Sequence, residues 1–199
     1  MASPLDHLLA DIRACTVCAD QLPLGPRPVA QASETARILI VGQAPGTKVH
    51  ATGLPFNDPS GDRLRDWMGI DRATFYDASK IAILPAGLCY PGRGKSGDLP
   101  PMPGCAERWH PRLRPLLPNL RLTVLIGAYA QAYYLGDTRH KTLAETVAHF
   151  ADYDPAFLPT PHPSPRNRLW LRKHPWFEQD VVPILKRRVA ALLSGGEDA

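Results

Sequence analysis

No stretch of the sequence approaches the roughly 20 consecutive apolar residues that a membrane-spanning helix requires, which excludes a helical integral membrane protein. Met1 to Leu9 lack a basic segment followed by an apolar one, so nothing there directs secretion, and a cytoplasmic location is expected. No self-similarity at a period of roughly 20 to 50 residues is present, which sets aside solenoids and propellers. There is no low-complexity tract either. The 22 prolines, roughly twice the usual ~5% share, are spread among apolar runs and imply long ordered loops. Charge of neither sign dominates: 23 Lys and Arg against 19 Asp and Glu leave +4 with neutral histidines. So weak a basic balance suits enzymes of anionic metabolites as well as a nucleic-acid binder. Its distribution is uneven, because Arg166, Arg168, Arg172, Lys173, Lys186, Arg187 and Arg188 face only Glu178, Asp180, Glu197 and Asp198 beyond Thr160. A solvated helix face accounts for part of that excess.

What the chain does have is enough apolar material for a core: 44% hydrophobic against 21% charged in 199 residues, the size of one domain or at most two small ones. No linker divides it, so residues 1–199 are expected to form a single domain, with residues 1–35 as an N-terminal helix and arm. Leu5, Leu8, Leu9 and Ile12 have helical spacing. Arg37-Ile38-Leu39-Ile40-Val41 is an almost uninterrupted apolar run that stops at Gly42, the pattern of a strand buried on both faces of a parallel sheet. Comparable runs recur at 80–84, 122–127 and, more weakly, 157–159, with helical segments between them at 60–68, 105–117, 128–135, 142–150 and 180–193. This alternation implies an α/β three-layer sandwich, a short central parallel β-sheet flanked by helices. In such a sheet, ligands bind beyond the carboxyl ends of the strands.

Two loops sit at such ends. Gly42-Gln43-Ala44-Pro45-Gly46 follows the first strand directly, a tight turn whose backbone N–H groups and Gln43 face whatever binds there. No Gly-Lys-Ser/Thr follows, so it is not a Walker loop, and a purely structural turn stays open. Thr160-Pro161-His162-Pro163-Ser164-Pro165-Arg166-Asn167 follows the last strand. Its prolines fix a rigid loop around one imidazole, with Ser164, Arg166 and Asn167 as donors suited to phosphate oxygens. Between the two loops, Phe56 is either plain core or a stacking platform, and Asp58 or Ser60 is a candidate helix cap.

The four cysteines form C-x2-C at Cys15 and Cys18, then 70 residues, Cys89, 15 residues and Cys105. In a reducing compartment such a set more often holds a metal or a cluster than disulfides. Zinc sites use two close pairs, whereas the separation of Cys89 from Cys105 suits a 4Fe–4S cluster on four thiolates. Zinc and four free buried thiols are the remaining readings.

Together the motifs resemble the uracil-DNA glycosylase superfamily. Residues 42–46 are similar to its first signature, and His162-Pro163-Ser164-Pro165-Arg166-Asn167 to its second, most like the single-strand-selective monofunctional branch. Thr52-Gly53-Leu54-Pro55-Phe56 and Arg65-Asp66-Trp67-Met68-Gly69-Ile70 are also similar to that branch, and the cysteines look like those of the iron–sulfur branch. The resemblance covers roughly Arg37 to Arg168 in order and spacing. It implies a monofunctional DNA glycosylase, expected as a monomer, that hydrolyses the N-glycosidic bond of uracil or a related deaminated base. DNA is the implied partner, single-stranded or duplex with the base flipped out.

The resemblance also implies roles. Phe56 would stack on the base, His162 would donate to it as it departs with negative charge, and Gly42, Ala44 and Asn57 would line its pocket. Ser164, Arg166, Asn167, Arg168 and Lys95 would contact the DNA backbone, Lys95 from a long Pro-rich loop at 90–104. Where the family often has an acid or Asn in the first signature, this chain has Gln43 and Ala44, which leaves Gln43 or the nearby Asp58 to handle water. Pro85 stands where the family commonly has an Asn that reads the uracil edge, so Asn57 or backbone near Ala86 and Gly87 must substitute. These departures leave room for another class, a non-catalytic single-strand or damage sensor of the same fold.

Overall fold

The computed structural model describes residues 2–95 and 97–195. Strands β1 (Ile38–Val41), β2 (Ile81–Ile83), β3 (Leu122–Ile126) and β4 (Phe157–Thr160) form one parallel sheet in the order β2-β1-β3-β4. Their unbroken apolar sequence follows from burial on both faces. Ile38 and Ile40 of β1 enter one apolar cluster while Leu39 and Val41, pointing the other way, enter a second. The first cluster is completed by α3 (Pro59–Met68), α4 (Arg72–Tyr76), α7 (Leu143–Ala148), α8 (Arg168–Lys173) and α9 (Val182–Leu193). On the opposite face lie α1 (Pro4–Arg13), α5 (Cys105–Leu113) and α6 (Gly127–Leu135). The expected three-layer α/β architecture is the one observed.

Helix limits differ from the expected ones for local reasons. Pro111 lies inside α5, and beyond Leu113 the chain narrows to a 3-10 turn, Arg114–Leu116, before Pro118. Thr142 is the cap of α7 rather than part of it, since its hydroxyl accepts from the Glu145 N–H. The C-terminal helix is entered through a π-turn at Phe177–Val181. Three short helices were not expected: α4, α8 and α2 (Thr47–Thr52), which lies between β1 and α3. None exceeds six residues, too few turns for a helical periodicity to be read.

The N-terminal arm seals one edge of the sheet. Gln31 exchanges both backbone hydrogen bonds with Ile83, at 2.9 and 2.7 Å, so the edge strand β2 is not left open. A second buried link joins α5 to the segment after β2. His110, 1% exposed, donates from Nε2 to the Pro85 carbonyl at 3.0 Å, so its Nδ1 accepts from the Tyr134 hydroxyl at 2.7 Å. Burial lowers the His110 pKa from 6.5 to about 4, with the Pro85 hydrogen bond opposing, Arg114 assisting and Glu107 opposing.

This gives a stability prediction. The unfolded chain protonates His110 near 6.5 while the folded protein resists to about 4, so stability is complete above the higher value and is lost as pH falls toward the lower one. The loss amounts to about 3 kcal/mol, and the depressed pKa of His162 adds in the same direction. Urea unfolding midpoints that stay flat as pH is lowered to about 5 would refute this.

Candidate active site

At the carboxyl ends of the strands a cavity of about 690 Å³ opens. The first-signature turn, residues 42–46, leaves β1 into its wall, Pro85 follows β2, and His162 follows β4. The sheet order places it where strands β1 and β3 diverge in their connections, the usual ligand position of an open α/β sheet.

Phe56 lies across this cavity in a backbone conformation that few residues tolerate, with φ 53, the one positive φ outside glycine among the described residues. Neighbouring groups hold it there. A Cβ on Gly42 would come within 3.0 Å of the Phe56 ring, and one on Gly61 within 1.8 Å of its carbonyl oxygen. Position 61 must therefore be glycine, whereas a side chain at position 42 would press the ring aside by a few tenths of an ångström. The loop is strapped residue by residue: Tyr76 donates to the Pro55 carbonyl at 2.9 Å, Arg65 to that of Phe56 at 3.5 Å, and Arg72 to Asn57 Oδ1 at 3.0 Å. The Asn57 side chain is thereby engaged with Arg72, and the residue is not part of the cavity wall.

The His162 loop is equally constrained. The Ser164 N–H donates to His162 Nδ1 at 3.1 Å, Asn167 Nδ2 donates to the His162 carbonyl at 2.8 Å, and Arg63 reaches the carbonyls of Pro163 and Ser164. Since Nδ1 accepts, the proton of the neutral ring resides on Nε2, which leaves Nε2–H as the free donor. Burial holds the pKa below its ordinary value, against the opposing fields of Asp58 and Asp98, so the ring is neutral at pH 7.

Asp58 serves two surroundings. Its Oδ1 caps α3 by accepting from the Gly61 N–H at 3.0 Å, and the residue also lines the cavity. Gln43 is less free than its position suggests, because its Nε2 donates to the Leu99 carbonyl at 3.0 Å. That bond draws in the loop between Cys89 and Cys105, whose tip is a small hairpin bridged at Arg93 and Asp98. Arg93, Gly97 and Asp98 wall the cavity from above, and Arg166 lies against Gly97.

Residues 29–186 match the family model of the Uracil DNA glycosylase superfamily. The chain belongs to that superfamily. Membership brings a DNA glycosylase-type hydrolase function and DNA as the partner. Among the described residues, no helix is long and apolar enough to cross a membrane.

Within this superfamily member the cavity gathers Gly42, Gln43, Ala44, Phe56, Asp58, His162, Ser164, Arg166 and Asn167, all singled out in the sequence. Arg168 and Lys95, both exposed, stand outside its wall. Sequence reasoning passed over Arg63, because a helix-surface arginine carries no local mark of a partner a hundred residues away. It also passed over Asp98, whose only signal was a charge inside the loop between two cysteines.

The four cysteines are free thiols that wall one small pocket with Leu22, Pro26, Pro28, Leu88, Met102 and Trp109. Burial raises the Cys89 thiol pKa, and it pushes Cys105 up to about 11 against an N–H bond from Leu88. Among the described residues no group of three or more His, Cys, Asp or Glu side chains is placed to hold a single metal ion. The donor set is all thiol, its walls are apolar, and backbone N–H groups point at two of the sulfurs. An all-thiol donor set with N–H groups on its sulfurs has the chemistry of a thiolate-ligated metal centre, whether a single ion or a cluster.

The Phe56 geometry is directly testable. Gly61→Ala drives a methyl group into the Phe56 carbonyl, and overpacking of this kind should cost about 2–3 kcal/mol. Glycosylase activity should fall further than the loss of folded protein explains. Wild-type stability in denaturant would show that the strained loop relaxes freely.

Proposed function

We propose that the protein is a monofunctional DNA glycosylase that releases uracil or a related deaminated base. One observation carries the reading: the Ser164 N–H on His162 Nδ1 reserves Nε2–H as a donor beside Phe56 and Asp58 in one cavity. With the base stacked on Phe56, the N-glycosidic electron pair leaves with the base nitrogen, and Nε2–H donates to the oxygen on which the negative charge collects. The sugar becomes cationic, and Asp58 and Asp98 supply the negative field that stabilises it. Water, oriented by Asp58 or the remaining amide oxygen of Gln43, then adds to the sugar carbon, and its proton passes to the second carboxylate oxygen of Asp58 or to the departed base anion. No second nucleophile is invoked, so the reaction stops at base release. Arg166, Ser164 and Asn167 at the rim, with Arg168 and Lys95 beyond it, suit contacts to the phosphate backbone.

Cys15, Cys18, Cys89 and Cys105 would hold a 4Fe–4S cluster, which supplies a brace here rather than reaction chemistry. Ligation would pin the N-terminal arm, the start of α5 and both ends of the hairpin loop to one point. Anaerobically purified protein should then be brown, with broad visible absorption that Cys89→Ala bleaches. Colourless protein carrying stoichiometric zinc would overturn the assignment.

Catalysis is read with excess enzyme on uracil-containing single strands, by alkaline scission at the abasic product. His162→Ala should slow release by roughly 10² or more, with little change in oligonucleotide affinity, since phosphate contacts carry most of it. Asp58→Asn should also slow release yet fold normally, because Asn caps a helix as well as Asp. The rival reading, a non-catalytic sensor, draws on the engagement of Gln43 with Leu99, and binding without scission by the wild-type protein would establish it.

A further inference from the structure

Pro85 stands in the cavity wall with an apolar ring and no N–H, so its only polar group is its carbonyl. His110 Nε2 takes that carbonyl at 3.0 Å, and the next N–H, of Ala86, donates to the Gly42 carbonyl at 2.9 Å. The Gly87 N–H in turn donates to the Gln43 carbonyl at 2.8 Å. Both polar ends of the peptide after Pro85 are thus consumed inside the protein, and Pro85 meets the cavity as hydrocarbon. His110 is buried on α5 and its ring packs against those of Tyr133 and Tyr134, at 5.3 and 5.6 Å, with its second nitrogen on Tyr134, which itself packs under Arg114 at 5.4 Å. An aliphatic residue would fill such a position without the cost of dehydrating an imidazole. Packing alone does not call for a histidine here; an unpaired carbonyl behind the pocket wall does.

We propose that His110 is a positioning residue for base selection. Its donor on the Pro85 carbonyl and the Ala86 N–H on the Gly42 carbonyl fix both ends of one peptide, so that a flipped base meets the Pro85 ring as an apolar wall held in place. Bases are then sorted there by shape rather than by paired hydrogen bonds. Tyr134 acts through His110, by keeping the ring proton on Nε2. The inference rests on the glycosylase reading, and it deepens it: deaminated bases with different hydrogen-bonding edges should be accepted at comparable rates. Loss of the His110 donor leaves the carbonyl unpaired behind the wall, lets the Pro85 ring shift, and changes that ranking.

The test compares release of uracil and of hypoxanthine from otherwise identical oligonucleotides by wild type, His110→Phe, His110→Gln and Tyr134→Phe. His110→Phe should slow uracil release about tenfold and shift the uracil-to-hypoxanthine ratio by about threefold or more, as the loss of one buried hydrogen bond predicts. Oligonucleotide affinity should hold within about twofold. His110→Gln, with an amide N–H for the same carbonyl, should restore the ratio. A decrease common to both bases that tracks the loss of folded protein by circular dichroism would reduce His110 to a structural role and overturn the inference. If His110→Phe does not fold, an unchanged ratio in Tyr134→Phe has the same force. If the wild type releases neither base, it is the glycosylase reading that fails. Discrimination between uracil-containing and unmodified strands in binding then decides His110, and no change in His110→Phe overturns it.

Discussion

Burial of the parallel sheet on both faces is the constraint from which the rest of the molecule follows. Ile38 and Ile40 point into one layer of helices, Leu39 and Val41 into the other, so neither face can carry polar chemistry. A strand interior is equally closed, since its N–H and C=O groups are committed to the ladder. Only the strand ends remain. The turn after β1, Pro85 after β2 and His162 after β4 reach one cavity because the strands run in the same direction. In an antiparallel sheet the corresponding loops would alternate between two ends.

Glycosylase chemistry needs those loops rigid, because a donor displaced by an ångström no longer meets the charge it stabilises. Rigidity here comes mostly from backbone groups rather than from the reacting side chains. The strained conformation of Phe56 persists because Gly61 leaves room for its carbonyl and because Tyr76, Arg65 and Arg72 strap the residues on either side. His162 is oriented by a main-chain N–H and by Asn167. The loop between Cys89 and Cys105 is tied to the first signature through Gln43, and its free length would carry a large ordering entropy without its ends held. The shared cysteine pocket is where those ends meet.

Strands were legible from sequence because double burial writes a run of apolar residues with no interruption, as in Leu122-Thr123-Val124-Leu125-Ile126. The two signature loops were legible because glycine and proline mark a turn whatever surrounds it. A cap was legible as Asp58 or Ser60, and the fold settles it on Asp58, with Ser60 inside the helix. What escaped depends on contacts between distant segments. Asn57 reads as a base-pocket amide until Arg72, fifteen residues on, takes its oxygen. Arg63 and Asp98 become part of the site only once β4 and the hairpin are folded beside them. His110 carries no local signal at all, since its partners are a carbonyl after β2 and a hydroxyl on α6.

The electrostatics of the cavity divide charge in the way that breaking a base–sugar bond requires. As the bond lengthens, negative charge gathers on the base and positive charge on the sugar. A protonated His162 would offer the stronger donor, but its cation would also oppose the sugar and neutralise the carboxylates beside it. Burial works against that state and keeps the ring neutral, while Asp58 and Asp98 pull its proton affinity back toward the ordinary value. The ring therefore stays a neutral donor, and in the proposed reaction the negative field of Asp58 and Asp98 is left for the sugar. Neutrality at the donor and negative charge opposite it are two halves of one arrangement. Both act in one cavity, walled by Phe56, Pro85 and the hairpin.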